Sequence, residues 1–359
     1  MDLVEIIEGI KPLDESAMKS AEKRMDSLVK PIGSLGRVEE LAVKLAGISG
    51  DVFSSFAKKA IVIMCADNGV YAEGVSPAPQ VVTLTQSANF MKKITGVGVL
   101  SGLSNSDLVV VDIGINSDVV SENFLNRKIR KGTGNVAKEP AMTREEALKA
   151  ISVGFGKVKT LKEKGYSVVG TGEMGLANTT TSSLVIMAFA GCSAEEATGR
   201  GAGLSDELLE HKKQVVARAF DLHKPDKADP VGVLHKVGGL DIAGLVGVFL
   251  GGAYFRMPVV IDGLISAAAA LVACKICPIA REFMVPSHMS EERGYSVAIE
   301  TLGLKPYFNL GMRLGEGSGC PFSFLLIDAA ERITKEMATF GEAEVEDKGI
   351  TYTRDNSEE

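Results

Sequence analysis

The segment YSVVGTGEMGLANTTTSSLVIMAFA, residues 166–190, decides how the rest of the chain is read. Tyr166–Val169 is a short β-branched run, glycines follow at 170, 172 and 175, and Leu184 to Ala190 reads as an apolar helix. Strand, glycine-rich loop and helix in that order make one βα unit. Moving outward, the unit recurs. Ala60–Cys65 leads into Asp67-Asn68-Gly69-Val70, and Leu108–Ile113 forms a second run on that side. On the other side, Pro258–Ile261 leads into Asp262-Gly263 and Phe283–Val285 into Ser287-His288-Met289-Ser290. Tyr307–Leu310, a weaker run, leads into Gly315-Glu316-Gly317-Ser318-Gly319. Continuous β-branched runs alternating with helices indicate buried parallel strands. The expected class is a three-layer, Rossmann-like α/β fold with a mainly parallel sheet. Ahead of it the first 50 residues read as helical, Glu15 to Val29 and Arg37 to Ile48, broken at Lys30-Pro31-Ile32-Gly33.

In open parallel sheets, ligands bind at the carboxyl ends of the strands. The unusual sequence lies in those positions, so several loops are expected to converge on one sheet edge. That convergence points to an enzyme before any relative is considered.

Bulk properties narrow the choice. A net charge of −7 and a pI near 5.4 leave no basic footprint for nucleic acid. Any phosphate must then be held by backbone N–H groups and one or two cations. Met1-Asp2-Leu3-Val4-Glu5 has neither the basic start nor the apolar stretch of a signal peptide. The most apolar region, Ile242 to Ala280, is interrupted by Arg256, Pro258, Asp262 and Lys275 and is too broken to span a bilayer. Five scattered cysteines suggest a reducing, cytoplasmic compartment, and Cys274-Lys275-Ile276-Cys277 reads as buried thiols on a helix face. The four histidines, His211, His223, His235 and His288, have no metal-ligand spacing, so no metal site is expected from them, and no cofactor is called for. The tail from Val345 to Glu359 is charged, without apolar periodicity, and is expected to fray.

Gly170 to Gly175 matches the dinucleotide fingerprint G-x-G-x-x-G, with Glu173 inside the expected loop, where it would repel a pyrophosphate. Other phosphate-competent loops are Gly132-Thr133-Gly134-Asn135, Gly199-Arg200-Gly201-Ala202-Gly203 and Gly317-Ser318-Gly319. The hydroxyl run from Asn178 to Ser183 exceeds what helix capping needs and suits an anion at a helix start. Glu316, glycine-flanked and ahead of a helix from Phe322 to Ile333, is the candidate base. Lys212 or Lys213, placed after a helix starting near Ser205, supplies the candidate phosphate cation.

Taken together, these motifs resemble the nicotinate-nucleotide:dimethylbenzimidazole phosphoribosyltransferase family, which activates the lower ligand of cobamides. The likeness runs from about Lys30 to about Ala330. It is carried by Lys30–Arg37, Glu73–Ser76, Gly132–Asn135, Glu139–Thr143, Gly172–Gly175, Asn178–Thr180, Gly199–Gly201, Pro258–Gly263, Ser287-His288 with Ser290, and Arg313–Gly319. The resemblance implies that Glu316 is the general base and that Glu173 stabilises positive charge at the reacting sugar. It implies that Gln86, Ser76 and Leu314 line the base pocket. It further implies that Gly175, Asn178, Thr179, Gly201, Gly203, Lys212, Asp262, Ser290, Gly317 and Gly319 contact phosphate or ribose. The implied substrates are nicotinate mononucleotide and an aromatic base. The family fold adds a small helical domain built from both chain ends. The expected division is therefore 1–50 helical, 51–330 catalytic, and 331–359 a returning helix and tail. The implied assembly is a homodimer, or a heterodimer with a homologous chain.

The family usually reads Asp-His-Gly-Val and Gly-Asn-Thr-Thr where this chain has Asp67-Asn68-Gly69-Val70 and Ala177-Asn178-Thr179-Thr180, and Cys320-Pro321-Phe322 replaces small residues. These departures predict an acceptor range that differs from strict dimethylbenzimidazole use, reaching adenine or phenols. Two other readings stand beside this one: a dinucleotide-dependent oxidoreductase using Gly170–Gly175, and a catalytically silent homologue that supports an active partner.

Overall fold

The computed structural model describes residues 1–118 and 124–349. Six parallel strands form one sheet: β1 (Lys59–Ala66), β2 (Asp107–Gly114), β3 (Leu125–Asn126), β4 (Val168–Met174), β5 (Val259–Ile261) and β6 (Met284–Pro286). Their spatial order is β3-β2-β1-β4-β5-β6, the doubly wound order whose direction reverses between β1 and β4. Ligands of such sheets bind outside that switch point.

Before the sheet come α1 (Leu3–Gly9), α2 (Glu15–Ser27) and α3 (Arg37–Ser49). Between β1 and β4 lie α4 (Val81–Met91), α5 (Gly96–Leu103) and α6 (Arg144–Glu163). After β4 the chain forms α7 (Asn178–Ala190), α8 (Ala194–Ala197), α9 (Asp206–His223), α10 (Pro230–Val237) and α11 (Leu240–Tyr254). α12 (Leu264–Ile276) joins β5 to β6, and α13 (Arg293–Leu302) and α14 (Cys320–Glu336) close the chain.

The alternation of side chains along β1 builds the three layers. Ala60, Val62, Met64 and Ala66 face a core shared with α6, α7 and α9 to α13. Ile61, Ile63 and Cys65 face a second core shared with α2, α3 and α14. All eight residues of β1 are buried, which is why it reads as an unbroken apolar run. On the larger core, α6 and α11 meet backbone to backbone. A Cβ on Gly154 would come within 1.9 Å of Gly244 O, and one on Gly247 within 1.9 Å of Ile151 O.

One expectation about an element needs correction. Tyr307–Leu310 forms no strand; a single bridge between His288 and Phe308 remains, because the segment meets no ladder partner beyond it. The expected boundary at 331 falls within α14, whose apolar face continues past it to Ile333. Val345–Gly349 has no regular structure, and the rest of the expected tail lies outside the described residues. The Lys30–Arg37 motif pins α3 instead of facing the switch point. Lys30 pairs with buried Glu39 at 2.8 Å, and the Arg37 guanidinium lies 4.0 Å above the Tyr307 ring.

Candidate active site

At the switch point the chain leaves β4 through Glu173, and the neighbouring turns enclose a cavity of about 270 Å³. Its wall takes Ser76 from the segment after β1, Glu173, Gly175, Asn178 and Thr179 from β4 and α7, and Gly201 with Lys212 from the α8–α9 region. Ser290, Leu314 and Glu316 complete it. Ten of the expected site residues therefore line one space.

Glu316 sits on a three-residue turn in the left-handed region, with φ of 78° at Gly315, 63° at Glu316 and 89° at Gly317. A non-glycine residue there is strained and must be held by its surroundings. Two acids do so. Glu173 Oε1 accepts the Glu316 N–H at 3.2 Å, while the Asp262 carboxylate accepts the N–H groups of Gly317 at 2.9 Å and Gly319 at 2.7 Å. Glu316 Oε1 accepts from Gln86 Nε2, on α4, at 2.7 Å; Oε2 is buried without a full hydrogen bond. Burial raises the carboxyl above its ordinary range, opposed by Gln86 and by the Val97 N–H at the start of α5. A carboxylate with one anchored oxygen and one open oxygen is equipped to take a proton.

Glu173 belongs to β4 and not to a loop: its carboxyl is pushed up to about 8, first by burial and then by the charge of Asp241. This placement also removes the dinucleotide fingerprint. Gly170, Thr171 and Gly172 are strand residues. A Cβ on Gly170 would come within 2.8 Å of Cys320 Cβ, and one on Gly172 within 2.7 Å of Glu316 O. These glycines admit α14 and its leading turn, not a pyrophosphate. Gly175 is required by contact too, since a Cβ there would lie 2.0 Å from Ala66 O.

At the other end of the cavity, Lys212 is 1% exposed, in the second turn of α9 rather than after that helix. Its Nζ donates to Thr179 Oγ1 at 2.7 Å and to Gly199 O at 3.2 Å. Burial lowers it to about 8, offset in part by Glu292. Lys213 is engaged by Glu195 and Glu210, each at 2.6 Å. Gly201 has φ +52°, and a Cβ there would stand 3.0 Å from Thr179 Oγ1 and 3.4 Å from Lys212 Nζ. The glycine opens the space in front of the cation.

Several expected ligand contacts fall elsewhere. Asp262 is 1% exposed, with both oxygens occupied by the Gly317 and Gly319 N–H groups, so all three act behind the Glu316 turn. Burial lifts Asp262 to about 7. Gly203 lines an adjoining groove. The Gly132–Asn135 loop turns its groups to the protein: Gly132 N–H to Gly114 O and Gly134 N–H to Ala141 O. Within the hydroxyl run, only Asn178 and Thr179 reach the cavity. Thr180, Thr181, Ser182 and Ser183 are buried in the first turns of α7. Of the departures from the family pattern, Ala177 alone lines the cavity. Asn68 is buried beneath it, donating to Leu176 O at 3.4 Å, and Cys320 packs against β4.

The structure adds residues that the sequence reading missed. Arg200, Glu292 and Arg313 border the Lys212 end. Asp241, fully buried at the start of α11, accepts from Asn178 at 3.1 Å. Its signal in the sequence was an acid directly ahead of the most apolar stretch.

Comparison with known proteins agrees with this geometry. A phosphoribosyltransferase family model matches residues 10–345. The nicotinate-nucleotide–dimethylbenzimidazole phosphoribosyltransferase of Clostridium perfringens is 48% identical over 353 residues, 98% of each chain. Its namesake from Ruminiclostridium cellulolyticum is 52% identical over 346 residues, 96% of this chain and 98% of the relative. The crystal structure of CobT from Thermus thermophilus superimposes with a TM-score of 0.88 at 37% identity, covering 92% of this chain and 99% of that one. With the sheet order, the glycine-flanked Glu316 and the Lys212 end all in place, the chain belongs to the nicotinate-nucleotide–dimethylbenzimidazole phosphoribosyltransferase family.

Proposed function

We propose that the protein transfers the phosphoribosyl group of nicotinate mononucleotide to dimethylbenzimidazole or a related aromatic base, in cobamide assembly. The observation that carries this reading is the polarity of the cavity: Lys212 at one end, Glu173 and Glu316 at the other. The donor is polar in the same sense, a phosphate joined through ribose to a cationic pyridinium ring. The phosphate sits against Lys212, Thr179 and Gly201, with Gly175 and Ser290 beside the ribose. Glu316 takes the N–H proton of the acceptor while the other ring nitrogen attacks the anomeric carbon from the opposite face. The bond to nicotinate breaks, its electron pair returns to the ring nitrogen, and nicotinate leaves without needing a proton. The configuration inverts from β to α. Charge building on the sugar is met by Glu173. Gln86 holds the base in place, and Ser76 with Leu314 borders the acceptor.

Incubation with nicotinate mononucleotide and a panel of bases, with products identified by mass, tests the reading. The expected product is an α-riboside 5′-phosphate with release of nicotinate. Absence of nicotinate release with every benzimidazole would overturn it. The silent-homologue reading is disfavoured because both acids and the lysine converge.

A dimer belongs to the same proposal. Val99 is 66% exposed and Leu103 55%, one turn apart on α5, with Ile94 64% exposed just before it. Such an apolar face on one surface suits a second copy, and the mass measured by sedimentation decides between one chain and two. Among the described residues no helix is long and apolar enough to cross a membrane, and no cluster of ligating side chains suits a metal. Five unpaired cysteines support a reducing, cytoplasmic setting.

A further inference from the structure

Asn178 has a single side-chain amide nitrogen with two N–H bonds, and both go to acids. One reaches Glu173 Oε2, the other Asp241 Oδ2 at 3.1 Å. Glu173 therefore has each oxygen committed, Oε2 to Asn178 and Oε1 to the Glu316 N–H at 3.2 Å. Asp241 lies one residue into α11, is 0% exposed and does not border the cavity. Its Oδ1 is buried without a full hydrogen bond, and the carboxylate is under the influence of the Asp241 and Ile242 N–H groups at the start of α11. Gly239 makes room for Oδ1, because a Cβ there would come within 2.3 Å of that oxygen.

We propose that Asp241 is a positioning residue for the transfer: through the Asn178 amide it aims the Glu173 carboxyl at the reacting sugar. This rests on the role given to Glu173 above. Without an acceptor at Asp241, the Asn178 amide is free to turn its oxygen toward Glu173 and release it. The ionisable groups acting on Glu173 are few. Asp241 comes from α11, Asp262 from the end of β5, and the Cys65 thiol of β1 lies within its field; Glu316 contributes its N–H. Asp241 is itself held up to about 6 by burial, with Asp67 adding to it. No cation is among the groups that shift Glu173. Removing the Asp241 charge must therefore favour ionised Glu173 and move its titration to lower pH.

The test compares D241A, D241N and E173Q in the full-length protein, with nicotinate mononucleotide and dimethylbenzimidazole as substrates. D241A is expected to lower kcat about 10–100-fold by misplacing one reacting group, with KM for the nucleotide changed by less than about threefold. D241N keeps the acceptor and restores kcat to within about threefold of wild type. The limb of the kcat/KM profile that disappears in E173Q is expected to move down by at least about half a pH unit in D241N. Melting curves accompany each variant; if D241A does not fold, the D241N limb decides. Wild-type kcat in D241A, a loss confined to KM, or an unmoved limb in D241N overturns the inference. An impaired E173Q beside unaffected D241 variants overturns this inference alone, whereas a wild-type-like E173Q removes the role of Glu173 and the inference with it.

Discussion

Lys212, Thr179 and Gly201 hold one end of the cavity with a buried cation and an open backbone; Glu173 and Glu316 hold the other with carboxyls, backed by Asp241 and Asp262 outside the cavity wall. The cationic end is assembled on helices. Lys212 projects from α9 and Thr179 from α7, and the two side chains are hydrogen-bonded to each other at 2.7 Å. The acidic end is assembled on strand ends and a strained turn, and its members hold one another. Asp262 pins the Glu316 turn from behind, Glu173 takes the turn's N–H, and Asn178 joins Glu173 to Asp241. The lesson is that the binding end can lose one member with a local effect, while the chemical end is a linked set in which one loss disturbs several partners.

The sharpest way to break that contrast is Glu316→Gln. The substitution keeps the Gln86 contact possible and removes the proposed base, so turnover is expected to fall by about two to four orders of magnitude. Nucleotide affinity, measured by calorimetry, stays near wild type. Loss of affinity equal to the loss of turnover would merge the two ends into one unit.

Lys212→Ala should act on binding instead. Losing a charge-assisted contact costs about 1.5–3 kcal/mol, and the loss should appear for nicotinate mononucleotide and be nearly absent for nicotinate riboside. Equal weakening of both would make Lys212 a structural residue. The same lysine sets a pH limit. It is lowered to about 8, so in the free site Lys212 is cationic below that value and loses its charge above it. KM for the nucleotide is therefore expected to rise as pH passes through about 8, while KM for the riboside stays flat.

The smallest expected effect concerns Ala177, which caps α7 at φ +66° where the family usually has glycine. Ala177→Gly relieves a left-handed residue worth about 1–2 kcal/mol and should raise the melting temperature. The ratio of dimethylbenzimidazole to p-cresol product in direct competition should change by less than about tenfold, because one methyl at the cavity wall belongs at the low end of the about 1–3 kcal/mol that a methylene in a pocket is worth. A larger change would place acceptor choice at this residue.

Much of this was legible in the residues themselves. The β-branched runs gave β1, β2, β5 and β6 to within a residue or two at most ends, because buried parallel strands carry no competing polar pattern. Glu316 stood out because glycine on both sides of an acid is rarely needed for anything but close approach. What failed was the interpretation of small residues. Gly170 and Gly172 satisfy a loop motif and yet lie in a strand, since a helix packed on that strand demands the same absence of a side chain. Asp262 and the Gly132–Asn135 loop looked ready for a ligand, but their partners are distant in sequence and close in space. Asp241 was overlooked for the same reason: nothing in its neighbours foretells Asn178.

The glycine seam between α6 and α11 reaches further than packing. Two helices in backbone contact move as one body, and α11 begins with the acid that steadies Glu173. An alanine at Gly154 or Gly247 would wedge the pair apart and carry Asp241 with it, although neither position touches the cavity. In a random mutational screen such variants would register as losses of turnover with intact nucleotide binding, and would pass for catalytic lesions. The surface over which this enzyme can accumulate harmless change is thus narrower than its active site suggests: it excludes a strip of small residues on the far side of the sheet's own helices.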